Sequence, residues 1–179
     1  MGRIGIYGGT FNPPHRGHMQ AARQAVELLN LDKLLLIPDH APPHKTMPEG
    51  TPAAQERLEL VRLTAREIPR AEASDLELLR EGRSYTADTV ELLHRTYPGD
   101  ELFLLMGTDM FLAFPQWREP ETICRYATLV VMLREREEPK LQQELQAQAQ
   151  HIRKKLDGER KQEQRLDTLS RAYRNYTKN

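Results

Sequence analysis

"RIGIYGGTFNPPHRGH", residues 3–18, decides the fold of this chain. Its opening, RIGIYG, is a short apolar run that stops at glycines, the signal of a buried strand. Its close leads into Met19, Ala22, Val26 and Leu29, whose helical spacing predicts a helix over 16–30. The stretch is therefore a strand, a glycine-rich turn and a helix. Working outward, KLLLIP (33–38) predicts a second buried strand, stopped by Pro38. HAPPHKTMPEGTP (40–52) has the prolines of a loop. Leu58, Val61, Ala65 and Ile68 mark a helix that ends near Pro69. SDLELLR (74–80) reads as a weaker strand, and SYTADTVELLHRTY (84–97) as a helix opened by hydroxyl residues. ELFLLMG (101–107) and ATLVVML (127–133) are further strands, and 138–156 a last helix.

Strands that are apolar on both faces and alternate with helices specify a parallel sheet covered on both sides. The expected fold is α/β: a Rossmann-like parallel sheet of about five strands. Residues 1–134 form its core. Residues 135–179 form a helical, polar C-terminal segment of the same domain, loosely ordered at its end. No internal repeat is visible.

A chain of 179 residues is long enough to bury a core without staples. Its 26 Lys and Arg balance 26 Asp and Glu, so no global field points to nucleic acid or a membrane. The lone Cys124 cannot form an internal disulfide, which favours a reducing compartment. No apolar run reaches membrane-spanning length. The expectation is a cytoplasmic protein.

In parallel sheets of this kind, ligands sit beyond the carboxyl ends of the strands. GGTFNPPHRGH (8–18) and GTD (107–109) fall at two such ends and should face one cleft. Gly8 and Gly9 allow a sharp turn and close approach to a ligand. The helix start that follows suits phosphate. His15 and His18, at i and i+3, would face the same side and stabilise developing charge. The stretch has no Gly-Lys-Ser/Thr and no GxGxxG, so it is neither a Walker loop nor a dinucleotide fingerprint. Two solvated histidines, or a metal pair short of a third ligand, are the competing readings.

The run Gly8-Gly9-Thr10-Phe11-Asn12-Pro13-x-His15-x-Gly17-His18 resembles the GGTFDPxHxGH signature of the HxGH nucleotidyltransferase superfamily. PPHK (42–45), SYTADT (84–89) and GTDMFLAFPQW (107–117) are similar to segments of the bacterial nicotinate-mononucleotide adenylyltransferases. The resemblance covers residues 1 to about 134, with several motifs in order. It implies adenylyl transfer from ATP, accompanied by Mg²⁺, to nicotinate mononucleotide in NAD biosynthesis. It implies that His15 and His18 act on the ATP phosphates. Gly8, Gly9, Thr10, Phe11, the loop cation Lys45 and Arg134 would bind ATP. Thr86, Gly107, Asp109 and Trp117 would bind the mononucleotide. Trp117 is the only tryptophan, and its polar flanks Gln116 and Arg118 suggest a rim where a pyridine ring could stack. A core aromatic is the alternative for Trp117, and a helix cap for Asp109.

The family pattern also includes a last strand and a second phosphate motif of the form Ile-Ser-Ser-Thr-x-Ile-Arg. LDTLSRAYRN (166–175) shares only a Ser and an Arg with it. A tail altered near Gly158 is one reading; a divergent tail, or a partner supplying the grip, are others. Three functions therefore stay open beside the leading one. They are transfer to another mononucleotide or phosphopantetheine, an impaired nucleotide-binding protein, and a helical interaction module on 135–179. The choice of nicotinate over nicotinamide, and monomer or homo-oligomer, are likewise open.

Overall fold

A computed structural model describes residues 2–9, 11, 14, 16–40, 49–80, 82–132 and 139–155. The elements run β1 (Arg3–Gly9), α1 (Arg16–Leu28), β2 (Lys33–Pro38), α2 (Ala54–Arg66) and β3 (Ala71–Ala73). They continue with α3 (Thr86–Thr96), β4 (Glu101–Gly107), α4 (Thr108–Ala113), a 3-10 turn (Phe114–Gln116), α5 (Pro120–Tyr126), β5 (Ala127–Met132) and α6 (Pro139–Lys155).

The five strands are parallel, in the order β3-β2-β1-β4-β5. Leu34–Ile37 of β2, Leu102–Met106 of β4 and all of β5 are buried, as strands covered on both faces must be. α1 packs on β1 and β2, and α2 on β2 and β3. α3 packs instead with α5, where His94 stacks on Tyr126 at 4.3 Å. Right-handed crossovers account for this division. The chain steps outward from β1 to β3 over one face and returns to β4 and β5 over the other. Leu145 and Ile152 of α6 join the same core.

Gly5 is required by packing: a Cβ there would lie 2.5 Å from the fully buried Leu31 and 2.8 Å from Leu34. β1 can thus run close beneath its neighbours only with a bare backbone at that position.

One strand lies elsewhere than the sequence pattern predicts. The strand expected at 74–80 is Ala71–Ala73, paired from Leu34↔Ala71 to Leu36↔Ala73. The ladder closes where Ser74 N–H donates to Leu36 O at 2.8 Å. The Ser74 hydroxyl then accepts from Leu76 N–H at 3.3 Å, and Asp75 O accepts from Leu78 and Leu79 N–H. Local side-chain and turn bonds have outcompeted the sheet there. The sequence pattern does not announce α4, the 3-10 turn or α5; Pro120 in the first turn of α5 and Glu121 beside it are their one clear start signal.

Candidate active site

The sheet order reverses direction between β1 and β4, the point where open parallel sheets leave a crevice. The ladders show how the crevice forms. β1 pairs with β2 as far as Gly9↔Pro38, and β4 with β5 as far as Gly107↔Met132. Between β1 and β4, pairing stops at Tyr7↔Leu105. Gly8-Gly9 and Met106-Gly107 thus continue past the last shared rung while each stays fixed to its outer neighbour. Asp39 N–H extends that outer anchoring by donating to Gly9 O at 2.9 Å.

The glycines of this fork do something other than the sharp turn expected of them. Gly8 and Gly9 are ordinary strand residues, absent from the positive-φ positions. A Cβ on Gly8 would meet Ile37 O at 3.8 Å, and one on Gly9 the Phe11 ring at 3.8 Å, both ordinary contacts. A Cβ on Gly107 would meet no described atom within 4 Å. Unlike Gly5, they are not demanded by packing among the described residues. Their bareness leaves the fork open to something from outside. Gly107→Ala should therefore leave stability within about 0.5 kcal/mol of the parent. If the fork holds a ligand, the substitution should cut kcat/KM about tenfold by crowding that ligand. Thermal melts and steady-state kinetics on one preparation check both halves.

The turn itself falls on Phe11, at φ 46°. A left-handed backbone on a bulky residue costs on the order of 1–3 kcal/mol and clusters at functional sites. Here it sends the Phe11 ring inward, to 3% exposure. Phe11 meets Tyr7 edge-on at 5.6 Å and His18 at 5.2 Å, and Tyr7 meets His18 at 6.1 Å. His18, half-buried in the first turn of α1, is held in a corner of two rings. Burial pushes the Tyr7 phenol up to about 12, so that wall stays neutral at any working pH. The first turn of α1 has no acidic residue to compete for an anion.

A second cluster lies at the start of α3. Thr86 is its first residue, and no side chain caps that end. Arg118 lies over the Tyr85 ring at 4.6 Å, which brings the SYT and PQWR segments together. Trp117 sits between them and the core. Its ring is 9% exposed and tilted against Phe114 at 5.4 Å, so it is a core-edge aromatic rather than the rim residue its flanks suggest. Those flanks mislead because the 3-10 turn before Trp117 points neighbouring side chains outward and this one in. Asp109 is exposed in the first turn of α4, and the cap there is Gly107. His15, Thr10, Lys45 and Arg134 lie outside the described residues, as do PPHK and the tail 156–179.

Sequence reasoning misses the buried charges behind this second cluster. Arg57 and Asp39 pair at 3.5 Å, with side chains 3% and 12% exposed. Arg57 shares a helix face with Val61 and Ala65, and a charge in that buried row is the available signal. Glu77 is buried and accepts from the Thr89 hydroxyl at 2.9 Å. Burial pushes its carboxyl from 4.5 to about 7; Thr89 and Arg80 pull it back only in part, and Asp39 adds to the rise. In the folded state Glu77 thus holds a proton that the unfolded chain has released. Its contribution to stability is complete below about pH 4.5 and is lost as pH climbs through about 7, an effect of about 2–3 kcal/mol. Urea titrations of the parent and Glu77→Gln at acid and alkaline pH should converge in acid and diverge in favour of the variant in base.

No helix among the described residues is long and apolar enough to cross a membrane. A family model described as cytidylyltransferase-like matches residues 6–175. A "probable nicotinate-nucleotide adenylyltransferase" of Shouchella clausii is 40% identical over 134 residues, 75% of this chain and 69% of that protein. A protein of Thermus thermophilus with the same name is 44% identical over 132 residues, 74% of this chain and 69% of its own. Another, of Geobacter metallireducens, is 43% identical, and the match spans 61% of its length. Among solved structures, the nicotinic acid mononucleotide adenylyltransferase of Plasmodium falciparum complexed with NaAD has a TM-score of 0.66 at 16% identity. That match covers 80% of this chain and 71% of that one, and it speaks for the fold. Forked sheet, histidine corner and these likenesses agree: the chain belongs to the cytidylyltransferase-like family and, within it, to the nicotinate-nucleotide adenylyltransferases.

Proposed function

We propose that this chain transfers the adenylyl group of ATP to nicotinate mononucleotide, releasing pyrophosphate and forming nicotinate adenine dinucleotide. The observation that carries the reading is the fork between β1 and β4, lipped by glycines with room beside them and leading to His18. The mononucleotide's phosphate oxygen attacks the α-phosphorus, and the bond from that phosphorus to the bridging oxygen of pyrophosphate breaks. Such a step needs positioning and charge stabilisation more than covalent help from the protein. In this reading, Gly8, Gly9 and Phe11 lay backbone along the triphosphate. His18, with His15 three residues before it, donates to the phosphate oxygens as charge builds. Thr10, Lys45 and Arg134 complete the ATP side.

Gly107 and Asp109 take the sugar of the acceptor and Thr86 its ring, with the buried Trp117 backing that pocket from the core side. The uncapped start of α3 favours an anionic carboxylate over a neutral amide, which supports nicotinate over nicotinamide. Among the described residues no three His, Cys, Asp or Glu side chains gather as a metal cage. Mg²⁺ would come with ATP, carried on its phosphates with water as its other ligands. The ion would neutralise phosphate charge as pyrophosphate departs. The burial of Leu145 and Ile152 supports one domain in which α6 packs against the sheet core.

Pyrophosphate release from ATP with each mononucleotide tests the proposal. Nicotinate mononucleotide should be used at least about tenfold better than the nicotinamide form. No release with either would overturn it and favour a nucleotide-binding protein without turnover.

A further inference from the structure

The segment leading from β3 into α3 is tied down from beneath by groups that the adenylyl transfer does not use. The Thr89 hydroxyl, 1% exposed, donates to Glu77 Oε2 at 2.9 Å and accepts from Arg80 Nη2. Arg80 Nη2 is itself 4.0 Å from Glu77 Oε2. Arg80 Nε and Nη1 are buried with no acceptor among the described residues, so among those residues this guanidinium is held by Glu77 and Thr89. Ser84, also buried, hydrogen-bonds Glu77 through its side chain and accepts His40 N–H at 3.0 Å. His40 Nδ1 lies 3.4 Å from Gly82 O. Residues 82–86 are thus held at Gly82 and Ser84 by His40, at Ser84 by Glu77, and at Tyr85 O by Thr89, whose N–H lies at 3.3 Å and whose hydroxyl lies at 3.4 Å.

We propose that Glu77, Thr89 and Arg80 are positioning residues: a buried polar clamp that holds residues 82–86, and hence the uncapped start of α3, in the conformation that receives the acceptor nucleotide. The inference rests on the acceptor side lying at Thr86, as read above. A clamp of this kind acts on one substrate. The fork that takes ATP is anchored by backbone bonds, Asp39 N–H to Gly9 O and the outer ladders, none of which runs through a side chain of Glu77, Thr89 or Arg80. Loosening 82–86 therefore weakens acceptor binding and leaves ATP in place.

Charge gives the clamp a pH dependence of known sign. Among the described residues, the groups facing Glu77 are Arg80 beside it, Thr89 on α3, Ser84 before α3, and Asp39 after β2 with its partner Arg57 on α2; His40 stands at the rim. Closed, the clamp keeps Glu77 dry and protonated to about pH 7. Opening admits water and lowers that value toward 4.5, so deprotonation favours the open form. Acceptor affinity should fall as pH rises through neutrality.

The test is steady-state kinetics on the full chain and on Thr89→Val, Thr89→Ser and Glu77→Gln. Thr89→Val, which keeps the volume and removes the hydroxyl, should raise the KM for nicotinate mononucleotide about tenfold. The KM for ATP and kcat should stay within about twofold of the parent, and Thr89→Ser should restore the acceptor KM. The parent's acceptor KM should rise several-fold from about pH 6 to about pH 8, and Glu77→Gln should flatten that rise. Equal effects on both substrates, a loss confined to kcat, or an unchanged pH profile in Glu77→Gln would overturn the clamp. If the parent itself releases no pyrophosphate, the functional reading falls, and amide hydrogen exchange decides the clamp. Faster exchange at 82–86 in Thr89→Val, with β4 unchanged, supports it; identical exchange overturns it.

Discussion

With His18 in the proposed role, His18→Ala should lower kcat by about 10²–10³-fold, the loss that follows when one preorganised donor to a developing oxyanion is removed. The fold should survive, because His18 is only half-buried. ATP affinity changes far less than kcat, since a donor aimed at charge that develops only in the transition state contributes little to the ground state. Single-turnover rates with nicotinate mononucleotide, alongside direct ATP binding, separate the two quantities. A kcat within about twofold of the parent would remove His18 from the chemistry altogether.

Phe11→Ala has the larger effect on stability. The Phe11 ring is 3% exposed and lies against both Tyr7 and His18. Removing a buried phenylalanine costs about 3–5 kcal/mol. Phe11→Gly makes the sharper comparison. It loses the same ring but relieves the left-handed backbone at φ 46°, and should be more stable than the alanine variant by about 1 kcal/mol. Glycine ranking above alanine in denaturant melts reports the strained turn directly; the reverse order would show that the turn relaxes without penalty. Both variants should also turn over slowly, because His18 loses one of its two walls.

How much of this is legible in the sequence depends on what each residue responds to. KLLLIP and ELFLLMG announce β2 and β4 to the residue, because a strand buried on both faces leaves no polar position to blur its ends. The cleft between 8–18 and 107–109 is legible for a related reason: each strand stops at glycine, and topology brings the two ends side by side. β3 is not legible. Ala71, Glu72 and Ala73 have little strand preference, and their extended form comes from Leu34–Leu36 offering a free edge. The leucines just after them, including the exposed Leu79, draw the expected strand downstream. In the site, Gly8 and Gly9 read in the sequence as a sharp turn, yet both are ordinary strand residues. The chain turns at Phe11, where nothing in composition advertises a positive φ. The polarity of its neighbours places Trp117 at a rim, yet a side chain at the end of a 3-10 turn points independently of theirs. Glu77, Arg80 and Thr89 carry no local pattern at all; their partnership exists only once α3 folds back over the turn after β3.

The fork between β1 and β4 has a corollary for how the molecule behaves among its own kind. Each of its inner margins is a stretch of strand without a neighbour, the feature that elsewhere invites foreign chains to add and aggregate. Here each margin is only two residues long, and glycine occupies three of the four positions. That is too short, and too poor in side chains, to template an incoming strand. The same opening is where the proposed function seats the compact oxygens of a phosphate group, so a hazard that other sheets must cover is left uncovered here without harm.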